Sequence, residues 1–196
     1  MTKTKAGRPR SEKAKQAVLN STYELLTESG GKKLTIEAIA QKAGVGKPTI
    51  YRWWPSLADI VLEAVLNQAD VKIPVPPYES LNTTLRQFLR SSMKSINEGD
   101  GSNLRYLMSL AQQDESFRDR FRENFVAKRQ EILKSILRQA VDANDISSTQ
   151  DLDMLVDLIF GSMWYRLLIG HGTMDEVFAD KLTDIVIKLG NSDEVC

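Results

Sequence analysis

A short stretch of the chain collects side chains that can hydrogen-bond to nucleic acid. Lys47 and Arg52 carry donors that suit O6 and N7 of guanine, and Pro48 can contact a thymine methyl group. Thr49 and Tyr51 carry hydroxyl groups that can donate to phosphate oxygens. If these residues share the exposed side of one helix, their types predict a surface that reads the major groove of duplex DNA.

Two short helices joined by a tight turn, within residues 34–54, would position these side chains. Thr35 is predicted to cap the first helix and is also counted among the DNA contacts. Gly44 is placed to end that helix in a left-handed conformation. Pro48 suits the first turn of the second helix, because an amide hydrogen there would have no acceptor within the helix. This is the helix-turn-helix arrangement, in which the second helix enters the major groove.

The motif alone leaves more than one interpretation open. Trp53 lies at the joint with the next helix, where its indole could pack against the core or donate to a phosphate. It is counted among the DNA contacts. A helical hairpin with a solvated basic face would show the same spacing, and short motifs carry a false-positive risk. DNA binding is the favoured interpretation.

An arginine-containing segment precedes this unit. Residues 1–10 include Gly7-Arg8-Pro9-Arg10 and are expected to be disordered in isolation. An extended arm with Arg8 and Arg10 can enter the narrow minor groove of A·T-rich DNA. A solubilising tail is the alternative interpretation.

The stretch from Ala43 to Ser56, AGVGKPTIYRWWPS, resembles the signature of the tetracycline-repressor-like (TetR/AcrR) transcriptional regulators. In that family A-G-V-S-x-x-T-[IL]-Y-x-[HW]-[FW] spans the turn and the recognition helix. The likeness extends back to Val18, and the later part of the chain is similar in length and helical layout only. The resemblance implies an all-α fold with an N-terminal three-helix helix-turn-helix DNA-binding domain and a C-terminal helical ligand-binding and dimerisation domain. One position departs from the family, because Leu57 stands where a lysine often contacts phosphate.

Charge is distributed unevenly along a chain that is neutral as a whole. Residues 1–60 hold 11 Lys and Arg against 5 Asp and Glu, although the full 196 residues hold 26 of each kind. A basic front and an acidic rear predict that one end meets a polyanion. The one cysteine, Cys196, makes no intrachain disulfide, and we find neither a signal-peptide core nor an apolar run of ~18 residues. We therefore expect a cytoplasmic protein that does not span a membrane.

The rear part of the chain is predicted to be helical throughout. The proline-rich segment 73–77 forbids a helix and separates a DNA-binding domain, residues 1–70, from a second domain, residues 71–196. Apolar residues at helical spacing predict helices over 80–97, 102–113, 115–143, 149–169 and 174–189, the last opened by a capping box at 173–176.

The last two predicted helices, 149–169 and 174–189, carry apolar residues on more than one face. A helix of this kind must bury two faces, and Gly161-Ser162 would permit close approach of another helix. We expect a symmetric homodimer through a four-helix bundle built from both helices of two subunits. A thicker core within one subunit is the alternative. The family resemblance also implies the dimer.

The resemblance further implies a small-molecule effector held between the rear helices. The predicted ligand-binding residues have long side chains that end in a polar group. They are Arg105, Tyr106, Trp164 and Arg166. Aromatic residues at helical spacing usually form core, so periodicity does not separate a pocket from packed interior.

No constellation of residues predicts catalysis, a metal site or a cofactor. His171 is the one histidine and has no second histidine or cysteine near it in sequence. The leading hypothesis is a ligand-responsive regulator, expected to be a repressor, which binds a pseudo-palindromic operator as a dimer and is released by a small molecule. The alternative is an all-α protein-interaction or assembly module without sequence-specific DNA binding.

Overall fold

The computed structural model describes residues 12–29 and 34–191, apart from the side chains of residues 69–72. The helices of these ranges are α1 (Glu12–Ser29), α2 (Ile36–Ala43), α3 (Lys47–Tyr51), α4 (Leu57–Lys72), α5 (Leu81–Ser95), α6 (Gly101–Gln113), α7 (Glu115–Phe121), α8 (Ala127–Asp142), α9 (Leu152–Ile169) and α10 (Glu176–Gly190). The same ranges contain no β-strand, and the all-α class is confirmed. Arg8, Arg10 and Cys196 lie outside the described residues.

The first three helices pack around a small apolar centre. Val18 and Leu26 of α1, Ile39 of α2 and Ile50 of α3 are almost completely buried. Because α2 and α3 are short, burial of these side chains, rather than helix propensity, fixes their positions.

Helix α4 connects this unit to the rear helices. The Ser56 hydroxyl accepts a hydrogen bond from the amide of Asp59 at 3.3 Å, as expected for a residue that caps the helix start. Ile60, Val61 and Ala64 are fully buried along α4. No helix is present between the end of α4 and the start of α5, in agreement with the proline-rich crossing.

The turn between α5 and α6 is wide and contains a glycine that no other residue could easily replace. Residues 96–100 form a kink between the two helices, within which Gly99 has a non-helical backbone with φ of 128°. A Cβ atom at this position would lie 2.8 Å from Cγ2 of Thr27 in α1. Both the positive φ and the close approach therefore require glycine. This turn brings the rear helices into contact with the front unit.

The predicted long helix 115–143 is helical over its length but is not uniform. A π-helical turn at Arg122–Val126 separates α7 from α8. Phe117, Phe121 and Phe125 stack successively, with centroid separations of 6.3 and 5.4 Å. In a regular α-helix, residues four apart drift by about 40° around the axis, and a wider turn reduces that drift. The π-helical turn thus helps to keep the rings on one side.

The capping box predicted at 173–176 is wrong. The N-cap of α10 is Asp175, whose carboxylate accepts from the amide of Phe178 at 2.9 Å. The Thr173 hydroxyl donates to Asp175 at 2.7 Å and so supports the cap. Because a carboxylate both accepts from the amide and favours the positive end of the helix dipole, Asp175 is well suited to the position.

The buried apolar residues form two clusters. The front cluster joins α1–α4 to residues of α6 and α7, including Leu107 and Phe117, and the π-turn residue Phe125. The rear cluster joins α5, α8, α9 and α10, including Phe88, Ile136 and Ile159. Helices α6 and α7 therefore pack with the front unit, although they lie in the rear half of the sequence.

Helix α10 is held against α5 by ion pairs. Arg90 donates to both carboxylate oxygens of Asp180, at 2.8 and 2.6 Å, and Arg86 donates to Asp184 at 2.6 Å. The hydrogen bonds from Arg90, followed by those from Arg86, lower the pKa of Asp180 to about 2. Among the residues described, no helix is both long enough and apolar enough to cross a membrane.

Candidate DNA-reading surface and effector cavity

Helix α3 presents its predicted DNA contacts on one exposed side. Lys47, Pro48, Tyr51 and Arg52 are exposed, and the exposed fraction of Tyr51 reaches 56%. Ile50 points the other way and is completely buried. Thr49 is half-buried at the edge of the exposed side. The structure therefore brings these residues of the sequence motif onto one surface.

The turn that carries α3 is fixed by local hydrogen bonds. The Thr35 hydroxyl accepts from the amide of Ala38 at 3.1 Å, and the side chain of Thr35 itself is exposed. Gly44 has φ of 65°, and its amide donates to the carbonyls at the end of α2. The amide of Val45 donates to Ala40 at 3.0 Å. These contacts confirm the predicted cap at Thr35 and the left-handed stop at Gly44.

Lys47 has an acidic partner that the sequence did not reveal. Its ammonium group forms an ion pair with Glu37 of α2. The hydrogen bond between them lowers the pKa of Glu37 and raises the pKa of Lys47. Both side chains are largely exposed, at 50% and 63%. Phosphate or guanine would therefore compete with Glu37 for this lysine.

The two tryptophans after α3 pack at its joint with α4. Trp54 is buried, and its indole N–H donates to Glu63 at 2.6 Å. Trp53 is half-buried, and the ammonium group of Lys15 lies 5.0 Å from its ring centroid. A contact between Trp53 and DNA stays a prediction.

Leu57, at the position where the family often has lysine, is half-buried against the front cluster. Its side chain packs and has no donor for phosphate. The predicted contacts of Arg8 and Arg10 concern residues outside the described ranges.

A cavity of about 80 Å³ lies where the front and rear clusters meet. Its wall combines apolar residues with two serines and two charged groups. The lining residues are Val65, Ile73, Phe88, Ser92, Ser95, Ile96, Asp100, Leu104, Phe125, Arg129, Phe160, Met163, Trp164 and Leu167. Protein sites for small molecules have this character, with mostly apolar walls and a few polar groups that orient the ligand.

Of the four predicted effector residues, Trp164 lines this cavity. Arg105 and Arg166 line a separate, shallow surface depression near the start of α10. Arg166 donates to the carbonyl of Thr173 at 2.7 Å, and its guanidinium lies 3.6 Å from the ring centroid of Phe178. Tyr106 packs against the front cluster, and burial raises the pKa of its hydroxyl. These three side chains therefore do not meet Trp164 at one site.

The sequence prediction missed the two charged residues of the cavity. Arg129 of α8 has an exposed fraction of 9%, and Asp100 lies at the end of the α5–α6 turn. Phe125 and Arg129 are four residues apart, a spacing that places both on one helix face. That spacing could have indicated a mixed apolar and cationic face, but nothing in it predicts burial of the arginine.

Side chains of the cavity wall and of the rear helices contact the DNA-binding unit. The Tyr23 hydroxyl of α1 donates to one carboxylate oxygen of Asp100, and the Ser95 hydroxyl donates to the other. Arg120 of α7 donates to Asp59 of α4 at 2.9 Å. A change at the cavity therefore has direct routes to α1 and α4.

Two family profiles together match most of the chain. Residues 18–64 match the profile described as bacterial regulatory proteins of the TetR family. Residues 75–186 match the tetracycline-repressor-like C-terminal domain. The first match contains the surface that α3 presents, and the second contains most of the cavity wall.

Individual proteins give the same result. The chain is 31% identical over 184 residues to the HTH-type transcriptional regulator YdeS of Bacillus subtilis, across 94% of this chain and 91% of the relative. The crystal structure of the TetR family transcription regulator SCO0332 matches with a TM-score of 0.79 and 28% identity, across 94% of this chain and 99% of that chain. The regulator FadR from Bacillus subtilis, solved in complex with stearoyl-CoA, has a TM-score of 0.70 and 16% identity, across 88% and 97%. At that identity FadR shows a likeness of fold.

These comparisons decide between the two functions that the sequence left open. They support a DNA-binding transcriptional regulator and not an all-α interaction module. Regulators of this family bind DNA and are not enzymes. With both of its domains matched and a relative at 31% identity, the chain belongs to the TetR family of bacterial transcriptional regulators.

Proposed function

We propose that the protein is a repressor that binds a pseudo-palindromic operator as a homodimer and leaves it when a small molecule occupies the rear domain. The observation that carries this proposal is the exposed side of α3, which holds Lys47, Tyr51 and Arg52 above a completely buried Ile50. An exposed basic helix on a fixed turn suits insertion into the major groove.

Individual side chains of α3 have distinct roles in this proposal. Lys47 and Arg52 donate to base edges, and Pro48 contacts a thymine methyl group. Thr49 and Tyr51 donate to phosphates and set the register. Thr35, Trp53 and the arm residues Arg8 and Arg10 add backbone and minor-groove contacts around this centre.

The dimer is proposed to form through α9 and α10. Seven large apolar residues with exposed fractions between 44% and 64% lie on these two helices: Met154, Leu158, Tyr165, Leu168, Ile169, Val177 and Ile185. A concentration of this kind on one side of a subunit marks an interaction surface. An added Cβ atom at Gly161, within the same surface, would have no other atom within 4 Å. A partner helix could therefore approach closely at that point.

The effector acts in this proposal by selecting one of two states. A ligand in the cavity shifts the equilibrium only by its difference in affinity for those states. The cavity contacts α1 through Asp100, and Val65 of α4 forms part of its wall. Movement of the wall would tilt α4 and change the spacing of the two α3 helices. Because bacterial DNA lies in the cytoplasm, we place this DNA-binding protein there.

Salt-dependent binding to DNA tests the reading surface. Duplexes bound by the protein are first selected from a random pool, and affinity is then measured against salt concentration and against single base changes. Phosphate contacts predict a log–log slope of about −0.9 for each phosphate neutralised. Arg52→Ala should remove discrimination at one base pair, at a cost of roughly 1–3 kcal/mol.

Arg138→Ala is the matched control, since Arg138 pairs with Glu131 on α8, far along the chain from the reading helix. Equal weakening of binding by Arg52→Ala on every sequence would assign Arg52 to a phosphate. The absence of any salt dependence would refute the reading surface.

A further inference from the structure

The cavity wall contains two charged side chains, Asp100 and Arg129, and Arg129 alone also lines a second, outer depression. This difference suggests what the cavity binds. Asp100 lies where the wall meets the DNA-binding unit, and its two oxygens accept from the hydroxyls of Tyr23 and Ser95. Arg129 lies on α8 and also lines the cavity. It also lines an outer depression of about 310 Å³ between α8 and α9.

Four side chains separate the inner cavity from the outer depression and form what we call the partition. Phe125, Arg129, Phe160 and Trp164 line both spaces. Most of the other residues of the inner side are apolar, with Ser92, Ser95 and Asp100 as the polar ones, whereas the outer side includes the polar residues Gln130 and Asp157. Arg129 therefore stands at the point where an apolar interior changes to a polar exterior.

We propose that the effector site takes an amphiphilic anion, whose apolar body fills the inner cavity and whose carboxylate or similar group is bound by Arg129. This inference rests on the proposed function, because it names the chemical class of that same effector. The bound anion would move the aromatic side chains of the partition.

The charge of the ligand follows from the chemistry of the partition. A guanidinium group has five N–H donors in one plane, so it can bind a carboxylate in addition to contacts within the protein. Arg129 is buried and its guanidinium lies 5.9 Å from the ring centroid of Phe125, so a charge-assisted hydrogen bond there would be little screened by water. The two carboxylate oxygens of Asp100 accept hydrogen bonds from the hydroxyls of Tyr23 and Ser95.

The size of the ligand follows from the two volumes. The inner space, about 80 Å³, is smaller than the roughly 300–1,000 Å³ of most small-molecule sites. The outer depression, at about 310 Å³, lies directly beyond the shared side chains. A short chain or small ring with a single charged end fits this arrangement, with the charged end at the partition.

Calorimetric titration of the full-length protein with three ligands of equal chain length tests the proposal. The ligands are octanoate, octanol and octylammonium, each used below the concentration at which it aggregates. Octanoate should bind at least about 10-fold more tightly than octanol, because a charge-assisted hydrogen bond adds free energy of that order. Octylammonium should bind more weakly than either.

Two variants assign the result to the cavity. Arg129→Gln should remove the preference for octanoate over octanol, and Arg122→Gln, at an exposed arginine paired with Asp119, should preserve it. Leu104→Trp fills the inner space and should weaken octanoate and octanol together. Circular dichroism verifies that each variant is folded, and the three-ligand comparison on the unaltered protein stands even if Arg129→Gln does not fold.

The outcomes are distinct from those that test the proposed function. Equal affinity for octanoate and octanol, tighter binding of octylammonium, or no binding of any of the three would overturn the anionic assignment. Retention of the octanoate preference in Arg129→Gln would also overturn it. Each preparation is tested on the selected duplex as well. Failure of the unaltered protein to select any duplex from the random pool would refute the proposed function and leave the ligand assignment intact.

Discussion

At the residue scale, local rules predicted the turn that carries α3 well. The roles of Thr35, Gly44 and Pro48 depend on the backbone within a few residues, and the structure places the first two as an N-cap and a left-handed stop. The pairing of Lys47 with Glu37 joins residues ten apart across the turn. Such a contact depends on how the two helices cross, which residue spacing does not specify.

The Lys47–Glu37 pair leads to a prediction about DNA affinity. Glu37→Gln removes the carboxylate that holds the ammonium group of Lys47 and that would repel phosphate. We expect tighter binding to the selected duplex, because the ammonium group of Lys47 no longer has to leave Glu37 to donate to a base edge and one negative charge near the phosphates is removed. The measurement is fluorescence anisotropy of a labelled duplex over a range of salt concentrations.

The matched control for this prediction is Glu131→Gln, which removes the same charge from another exposed pair, with Arg138 on α8. If both variants tightened binding equally, net charge rather than release of Lys47 would explain the effect. Unchanged binding in Glu37→Gln would show that Glu37 does not compete with DNA.

Arg129 shows where residue-level prediction stopped. Tyr106, Trp164 and two arginines were chosen from sequence because their tips are polar, and Trp164 alone of the four lines the cavity. Arg129 differs from the other described arginines in being buried, and this burial is what makes it part of the cavity wall. Periodicity gives the face of a helix and does not give the depth to which its neighbours cover that face.

At the scale of elements, the helices and their order were predictable, and the irregular turns were not. A break between residues 97 and 102 was expected, but the close approach of Gly99 to Thr27 of α1 within it was not. The N-cap of α10 was assigned to Thr173, and Asp175 takes that place. Thr173 and Asp175 are both good capping residues, so local sequence could not choose between them.

The α5–α6 turn leads to a prediction about coupling between the cavity and the reading unit. Tyr23→Phe removes the hydroxyl that donates to Asp100. We expect faster amide hydrogen exchange in α1, unchanged exchange in α9, and a loss of stability of about 0.5–1.5 kcal/mol, the usual contribution of one hydrogen bond. Affinity for the selected duplex should also change, although residue 23 lies outside the reading helix.

Tyr106→Phe is the control for this prediction, because Tyr106 is half-buried and burial alone raises the pKa of its hydroxyl. Its removal should leave exchange in α1 and affinity for DNA unchanged. If the two variants behaved alike, the bond to Asp100 would have no special part in positioning α1.

At the scale of the whole molecule, two apolar clusters meet at the cavity, and a third apolar surface faces outward on α9 and α10. The outward surface follows from sequence, since helices with apolar residues on several sides must bury more than one of them. The packing of α6 and α7 with the front unit was not predictable, because it depends on contacts between residues far apart in the chain.

The outward surface leads to a prediction about assembly. Gly161→Leu should convert the dimer to a monomer without unfolding the subunit, because an added Cβ meets no atom of its own chain within 4 Å. Sedimentation velocity and circular dichroism measure the two effects. Gln87→Leu, at an exposed position on α5, is the control and should remain dimeric. A dimeric Gly161→Leu variant would place the interface elsewhere.

The central claim is that two subunits hold their α3 helices one turn of DNA apart. Hydroxyl-radical footprinting on the selected duplex, with the stoichiometry of the complex measured in parallel, tests it most directly. The account predicts two chains for each duplex and two protected blocks centred about 34–36 Å apart on a pseudo-palindrome. A single protected block, or one chain for each duplex, would contradict it.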